Sequence, residues 1–177
     1  MTGVQTCALP IFATIANDGV RVEPTVIAGT LDAQGHYTPA KSRKNIRVVS
    51  AETAQKMRLM MESVVSANGT APSAAIPGYR IAGKTGTAQR VVNGHYSGYT
   101  ASFIGFAPAD KPRYVISVTI QAPQGMHWGG VLGGPVFKEV MSYVLEAKHI
   151  PPSNTKVTPI PLNAAQLAAA APKEKKQ

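Results

Sequence analysis

Residues 81–107 read IAGKTGTAQRVVNGHYSGYTASFIGFA. At their centre, Asn93 and Gly94 form the residue pair that two-residue hairpin turns favour, because both turn positions need a positive φ. The flanking residues predict two antiparallel strands, at 79–92 and 96–107. A third strand is predicted at 113–121, where apolar and polar residues alternate. The sequence therefore predicts a three-stranded antiparallel meander with at least one buried face.

Two amphipathic helices flank this meander along the chain. Ser50 can cap the first helix, which we expect to end at Asn68 and Gly69. Pro135 suits the first turn of the second helix, which we expect to end at Ile150. Apolar residues recur at helical spacing in both helices: Ala54, Met57, Met61, Val64 and Val65 in the first, and Phe137, Val140, Met141, Val144 and Leu145 in the second. The predicted fold class is α+β, an antiparallel sheet flanked by helices.

The two ends of the chain differ in composition from this central part. Residues 1–11, MTGVQTCALPI, match the in-frame translation of a common sequencing-library adapter, so we interpret them as an artefact. Residues 12–150 carry the periodic patterns of a folded domain. Residues 151–177 are rich in proline, alanine and lysine, with too little apolar bulk to pack a core, and we expect disorder there. Upstream of the first long helix, the sequence predicts the end of a helix at 17–19, an edge strand at 20–29 and a short strand at 45–49.

Basic residues outnumber acidic ones, with 18 Lys and Arg against 9 Asp and Glu, a formal net charge of +9. Such a balance raises the question of nucleic acid binding. The densest basic stretch, residues 41–47, has no aromatic residue on which a base could stack, so we expect no nucleic acid partner. No run of about 18 apolar residues exists, so we expect no membrane-spanning segment within this stretch. Cys7 is the only cysteine and the four histidines share no ligand spacing, so we expect no disulfide, no metal and no cofactor.

The residues with the clearest chemical meaning lie in the first strand of the meander. Lys84 supplies a fixed positive charge, and Thr85 and Thr87 supply hydroxyl donors. Gly83 and Gly86 have no side chains, so we expect that a ligand can approach the backbone closely there. Backbone N–H groups on an edge strand can also point at a developing oxyanion. Together these residues predict an anion-binding site.

The same residues complete a phosphate-loop pattern, Gly-x-x-x-x-Gly-Lys-Thr, over residues 78–85. A phosphate loop follows a buried strand and opens a helix, whereas prolines precede this segment and a hairpin follows it. No apolar strand that ends in an acidic residue is available to hold magnesium. We therefore expect no nucleotide binding.

Three segments occur in an order that identifies a family: KTGTAQ at 84–89, YTASFIGFAP at 99–108 and PVFK at 135–138. They closely resemble the end of the transpeptidase domain of class B penicillin-binding proteins, and the resemblance covers nearly all of residues 12–152. It implies part of the fold shared by penicillin-binding transpeptidases and serine β-lactamases. It also implies a peptidoglycan D,D-transpeptidase that cross-links stem peptides through an acyl-serine intermediate and binds β-lactams.

The resemblance assigns a role to each residue of the motif. Lys84 would polarise the site and help proton transfer, and Thr85 and Thr87, with Gly86 between them, would bind the terminal carboxylate of a D-Ala-D-Ala stem peptide. The backbone N–H of Thr87 would form half of the oxyanion hole. The resemblance further implies a protein anchored in the cell membrane, with this domain outside the cytoplasm and other cell-wall synthesis proteins as partners. A role in division or in elongation, and the identity of the acceptor amine, stay open.

Of the family's three catalytic motifs, Ser-x-x-Lys, Ser-x-Asn and Lys-Thr-Gly, we identify only the third. Residues 153–156 spell Ser-x-x-Lys, but they lie after the Lys-Thr-Gly in the proline-rich tail. Residues 66–68 spell Ser-x-Asn, but they lie at the predicted end of a helix. We therefore expect no nucleophile in this chain and no activity from the chain alone. The alternative is a non-catalytic module that binds peptidoglycan or a protein partner through the same strand.

Overall fold

The computed structural model describes residues 4–40 and 44–153. It confirms the predicted α+β class, with helices around antiparallel strands. The elements, in chain order, are α1 (Val4–Ala16), β1 (Val20–Arg21), β2 (Gly29–Leu31), β3 (Tyr37–Pro39), β4 (Ile46–Arg47), α2 (Ala51–Ser63), a 3-10 helix (Pro72–Ala74), β5 (Ala82–Val92), β6 (His95–Ala107), β7 (Tyr114–Gln121) and α3 (Gly129–Ala147).

Strands β5, β6 and β7 form the predicted meander, in that spatial order. The hairpin prediction is confirmed, since Asn93 and Gly94 join β5 to β6 with φ angles of 51° and 80°. Strand β7 pairs only with residues 100–107 of β6, so the tip of the β5–β6 hairpin extends beyond the third strand. Within the described residues, β5 is an edge of this sheet.

Helices cover both faces of the sheet. On one face, Phe103 of β6 packs edge-on against Phe137 of α3, with ring centroids 5.0 Å apart, and both rings are fully buried. On the other face, Phe106 packs with Met61 of α2 and with residues of α1. The sheet therefore forms a middle layer between α3 and the pair α1 and α2.

The chain before α2 departs from the predicted strand at 20–29. The structure has two short strands there, because β1 pairs with β4 while β2 pairs with β3. Pro24 lies between them, and its lack of an N–H group disfavours one continuous ladder. Helix α1 begins at Val4, inside the segment interpreted as an artefact, and that interpretation stays a prediction. It ends as predicted, with Asp18 and Gly19 at positive φ.

The start of α3 was predicted wrongly. The helix begins at Gly129, six residues before Pro135, which lies inside it. The glycines at 129, 130, 133 and 134 favour a loop by intrinsic propensity. In the structure they bring the helix close to its neighbours, since a Cβ at Gly133 would lie 2.8 Å from Cβ of Phe103. Tertiary packing here outweighs helix propensity.

A buried ion pair ties α2 to the segment just before β5. The Arg80 guanidinium donates to both carboxylate oxygens of Glu62, at 2.9 and 2.7 Å. These hydrogen bonds to Glu62 are the main cause that raises the pKa of Arg80 above its ordinary value. Ser153 Oγ accepts from the backbone N–H of Arg80 and donates to Asp110. Contacts thus extend two residues past residue 151, where the tail was predicted to begin, and residues 154–177 of that tail lie outside the described residues.

Within the described ranges, 4–40 and 44–153, no helix has the length and apolarity needed to cross a membrane.

Candidate functional site

The predicted anion-binding residues lie together near the start of the edge strand β5. Lys84 and Thr87 are exposed, and Thr85 and Gly86 are half-buried. Strands β5, β6 and β7 contain no acidic residue. The site therefore presents a lysine and two hydroxyls on an edge whose own sheet adds no negative charge, an arrangement that suits an anionic ligand.

Lys84 and Thr85 point toward opposite faces of the sheet, because side chains alternate along a strand. Lys84 pairs with Ile104 on the face covered by α1 and α2, and Thr85 pairs with Phe103 on the face covered by α3. The Lys84 ammonium nevertheless bends around the strand edge. Its Nζ donates to the carbonyl oxygen of Thr85 at 2.8 Å and to the Thr85 hydroxyl at 3.3 Å. The positive charge thus lies beside the Thr85 hydroxyl.

The two threonine hydroxyls of the motif are held on the α3 side by groups from outside the strand. Thr85 Oγ1 lies 3.2 Å from Thr70 Oγ1, in the loop that follows α2. Thr87 Oγ1 accepts a hydrogen bond of 3.2 Å from the backbone N–H of Gly129, the first residue of α3. The sequence reasoning missed both Thr70 and Gly129. The paired glycines at the start of α3 are the one local signal of a close approach.

The glycines of the motif are also required by packing within the sheet. A Cβ at Gly83 would collide with the Phe103 ring, and a Cβ at Gly86 would collide with Oγ of Ser102. Neighbouring side chains of β6 occupy the space beside both residues. Packing within the sheet thus requires glycine at both positions, and the expectation that a ligand approaches the backbone there stays a prediction.

The structure contradicts the phosphate-loop reading of residues 78–85. Gly83, Lys84 and Thr85 lie inside β5, paired antiparallel with β6, and the next helix begins only at Gly129. A phosphate loop needs a helix N-terminus directly after the lysine and threonine. Among the residues that the structure describes, no group of three His, Cys, Asp or Glu side chains is placed to hold a metal ion.

The two other literal motif matches are engaged in local structure. Ser66 Oγ donates to the carbonyl oxygen of Ser63, at the end of α2. Ser153 Oγ is bonded to Arg80 and Asp110, away from β5's motif, and Lys156 lies outside the described residues. Neither match supplies a serine beside Lys84.

An aromatic stack between β6 and the loop before α3 lies near the motif. The rings of Tyr99 and His127 stack with centroids 4.1 Å apart and planes inclined by 10°, and Trp128 lies against His127 with centroids 4.9 Å apart. Trp128 directly precedes Gly129, which bonds to Thr87. The stack therefore lines the part of the surface next to the motif. Sequence reasoning did not select Tyr99, because its partner is 28 residues away along the chain.

Comparison with known proteins gives a consistent result. The penicillin binding protein transpeptidase domain matches residues 7–142. Penicillin-binding protein PbpB of Mycolicibacterium smegmatis is 42% identical over 176 residues, which cover 93% of this chain and 27% of PbpB. A protein of Neisseria flavescens named "Probable peptidoglycan D,D-transpeptidase PenA" is 44% identical, over 69% of this chain and 32% of that protein. A crystal structure of penicillin-binding protein 3 from Mycobacterium tuberculosis, complexed with ampicillin, has a TM-score of 0.78 and 36% identity, and covers 90% of this chain and 37% of that one.

The fold and the motif on its edge define a partial penicillin-binding transpeptidase domain. The chain belongs to the penicillin-binding protein transpeptidase family, and the predicted resemblance to its class B members is confirmed. The chain spans about a quarter to a third of the length of the curated relatives described above. Those relatives take their names from penicillin binding and from peptidoglycan transpeptidation.

Proposed function

We propose that this chain supplies one wall of the active site of a peptidoglycan D,D-transpeptidase. The observation that carries the proposal is the Lys-Thr-Gly-Thr segment, Lys84 to Thr87, on the edge of β5, with the lysine ammonium bent onto Thr85. An open strand edge also offers backbone N–H groups to a ligand. Membership of the transpeptidase family supports the same assignment.

In this proposal Thr85, Gly86 and Thr87 bind the terminal carboxylate of a D-Ala-D-Ala stem peptide. Hydroxyl donors beside a fixed ammonium suit a carboxylate, because hydrogen bonds to an ionised acceptor are stronger than neutral ones. The carboxylate of a β-lactam takes the same position. The relative from Mycobacterium tuberculosis, crystallised with ampicillin, supports a β-lactam as ligand.

The proposed reaction is an acyl transfer in two steps. A serine that this chain does not supply attacks the carbonyl carbon of the penultimate D-Ala, while the Thr87 backbone N–H donates to the oxyanion. The peptide C–N bond breaks, and the terminal D-Ala takes up a proton and leaves. An amine of a neighbouring strand then attacks the acyl-serine ester, loses a proton and releases the serine hydroxyl. Lys84 polarises the site and assists the proton transfers.

The same proposal places the parent protein at the cell membrane, with this domain outside the cytoplasm. Its partners there are peptidoglycan stem peptides and other cell-wall synthesis proteins. Support comes from the relatives, which are named as penicillin-binding proteins and as a peptidoglycan D,D-transpeptidase. We expect the chain alone to be inactive, because it contributes Lys84 and the Thr87 N–H without a nucleophile.

Labelling with a fluorescent penicillin tests the proposal. The upstream sequence of the locus is read first, and the complete protein is then expressed beside this chain. We expect a covalent label on a serine of the complete protein and none on this chain. Lys84→Ala should slow labelling about 100-fold or more. The control is Thr119→Ala, at an exposed position of β7, which should leave labelling unchanged.

Two outcomes would contradict the proposal. Acylation of a serine within this chain would show that the nucleophile has been misassigned. Binding of unmodified cell-wall peptide by the complete protein, with no acylation by penicillin, would instead favour the non-catalytic binding module. In that case Lys84→Ala would weaken peptide binding without any covalent product.

A further inference from the structure

The loop after α2 reaches the site through one side chain. Thr70 Oγ1 lies 3.2 Å from Thr85 Oγ1, although Thr70 is outside the Lys-Thr-Gly-Thr motif and 15 residues before Thr85. We propose that Thr70 is a positioning residue, which donates to the Thr85 hydroxyl and so directs the Thr85 proton toward a bound carboxylate. This inference rests on the proposed function above.

The backbone of Thr70 is held in place from two sides. The N–H of Ala71 donates to the carbonyl oxygen of Val64 at 2.9 Å, which ties the loop to the end of α2. On the other side, Gly130 of α3 lies so close that a Cβ there would collide with the carbonyl oxygen of Thr70. Ser73, in the 3-10 helix that follows, donates to the carbonyl oxygen of Gly130 at 3.0 Å. The loop is therefore fixed against α3, which holds the backbone of Thr70 beside Thr85.

The hydrogen bonds around Thr85 determine where its proton can go. A threonine hydroxyl has one hydrogen to donate and two lone pairs that accept. The Lys84 ammonium has only donors, so it fills one acceptor position of Thr85 Oγ1, at 3.3 Å. With Thr70 as a second donor, both acceptor positions are filled. The Thr85 hydrogen is then left to donate to a ligand.

The hydroxyl of Thr87 also accepts a hydrogen bond from a group outside the strand. The backbone N–H of Gly129 can only donate, and it donates to Thr87 Oγ1 at 3.2 Å. The Thr87 hydrogen is thereby also free to point at a ligand. The Thr85 hydroxyl is thus set as a donor, and the Thr87 hydroxyl is free to act as one, before a ligand binds, which lowers the cost of ordering them around a carboxylate. A neutral ester at the same position accepts such hydrogen bonds more weakly.

The test compares a penicillin that has a free carboxylate with its methyl ester, on the complete protein. The variants are Thr70→Val, which keeps the shape and removes the hydroxyl, Thr70→Ala, and Thr70→Ser, which keeps the hydroxyl. We expect Thr70→Val to slow acylation by the acid on the order of tenfold, with acylation by the ester unchanged. Thr70→Ser should retain the wild-type preference for the acid. Thr119→Ala is the matched control.

The outcomes separate this inference from the proposed function. If Thr70→Val slows acylation by the acid and acylation by the ester equally, Thr70 acts only in folding and the inference is overturned. An unchanged rate of acylation by the acid in Thr70→Val also overturns it. Either result leaves wild-type acylation intact, so the proposed function stands. A wild-type complete protein that neither compound acylates overturns both. If Thr70→Ala fails to fold, the comparison of Thr70→Val with Thr70→Ser decides.

Discussion

Replacing Glu62 by glutamine removes the carboxylate that binds Arg80 through two hydrogen bonds. The Glu62 side chain is only 2% exposed and the Arg80 side chain 14%, so water cannot readily take the place of the lost charge. Losing one partner of a buried ion pair costs about 3–5 kcal/mol. Asp110 also attracts the Arg80 charge, so we expect the lower end of that range, about 3 kcal/mol.

Thermal unfolding of this chain, followed by circular dichroism, measures the loss. For a chain of this size, about 3 kcal/mol corresponds to a fall in Tm of roughly 6–12 °C. The control is Glu52→Gln on the same helix, because the Glu52 pair with Lys56 has side chains 75% and 66% exposed. Such a pair is worth less than about 1 kcal/mol. If Glu62→Gln costs no more than this control, the pair does not behave as a buried one and the reasoning is refuted.

Three further predictions concern other parts of the fold. Gly129→Ala should lower the free energy of unfolding by about 1–3 kcal/mol, because its Cβ would meet backbone oxygens of two neighbouring strands. Its control, Val131→Ala at an exposed position of the same helix, should lower the free energy of unfolding by less. Ser50→Ala should cost about 1 kcal/mol in the same melt and Ser50→Asp much less, since Ser50 accepts from the third residue of α2. The backbone N–H of His36 donates to Asp32 and lowers the pKa of that carboxyl, so an NMR titration of Asp32 should give a midpoint below 3.8. The contribution of this hydrogen bond to the stability of the fold is complete above pH 3.8 and is lost as the pH falls through the folded pKa. A midpoint at or above 3.8 contradicts this prediction.

The features predicted correctly are those encoded by neighbouring residues. Asn93 and Gly94 specify the hairpin turn by themselves, because few other residue pairs accept positive φ at both positions. Ser50 specifies the start of α2 in the same way, through a hydrogen bond that spans three residues. The strands of the meander follow from alternation within each segment. Local chemistry is sufficient for all three.

The features that were missed depend on contacts between distant segments. Glycines at the start of α3 disfavour a helix locally, and only their close approach to β5, to β6 and to the segment between α2 and β5 accounts for them. The contact between Thr70 and Thr85 crosses from a loop to a strand and leaves no periodic signal. The motif can be identified from the sequence alone. The groups that contact its hydroxyls, Thr70 and the backbone N–H of Gly129, can be identified only from the folded structure.

The position of the motif on an edge strand fits the roles proposed for its residues. Lys84 belongs to the face of α1 and α2, and Thr85 and Thr87 belong to the face of α3. In an interior strand, side chains on opposite faces are separated by the sheet and cannot meet at one ligand. At an edge, the Lys84 ammonium can bend around the strand and reach the Thr85 carbonyl oxygen at 2.8 Å. An edge strand is therefore the place in a sheet where successive residues can bring a cation from one face and hydroxyls from the other to the same anion.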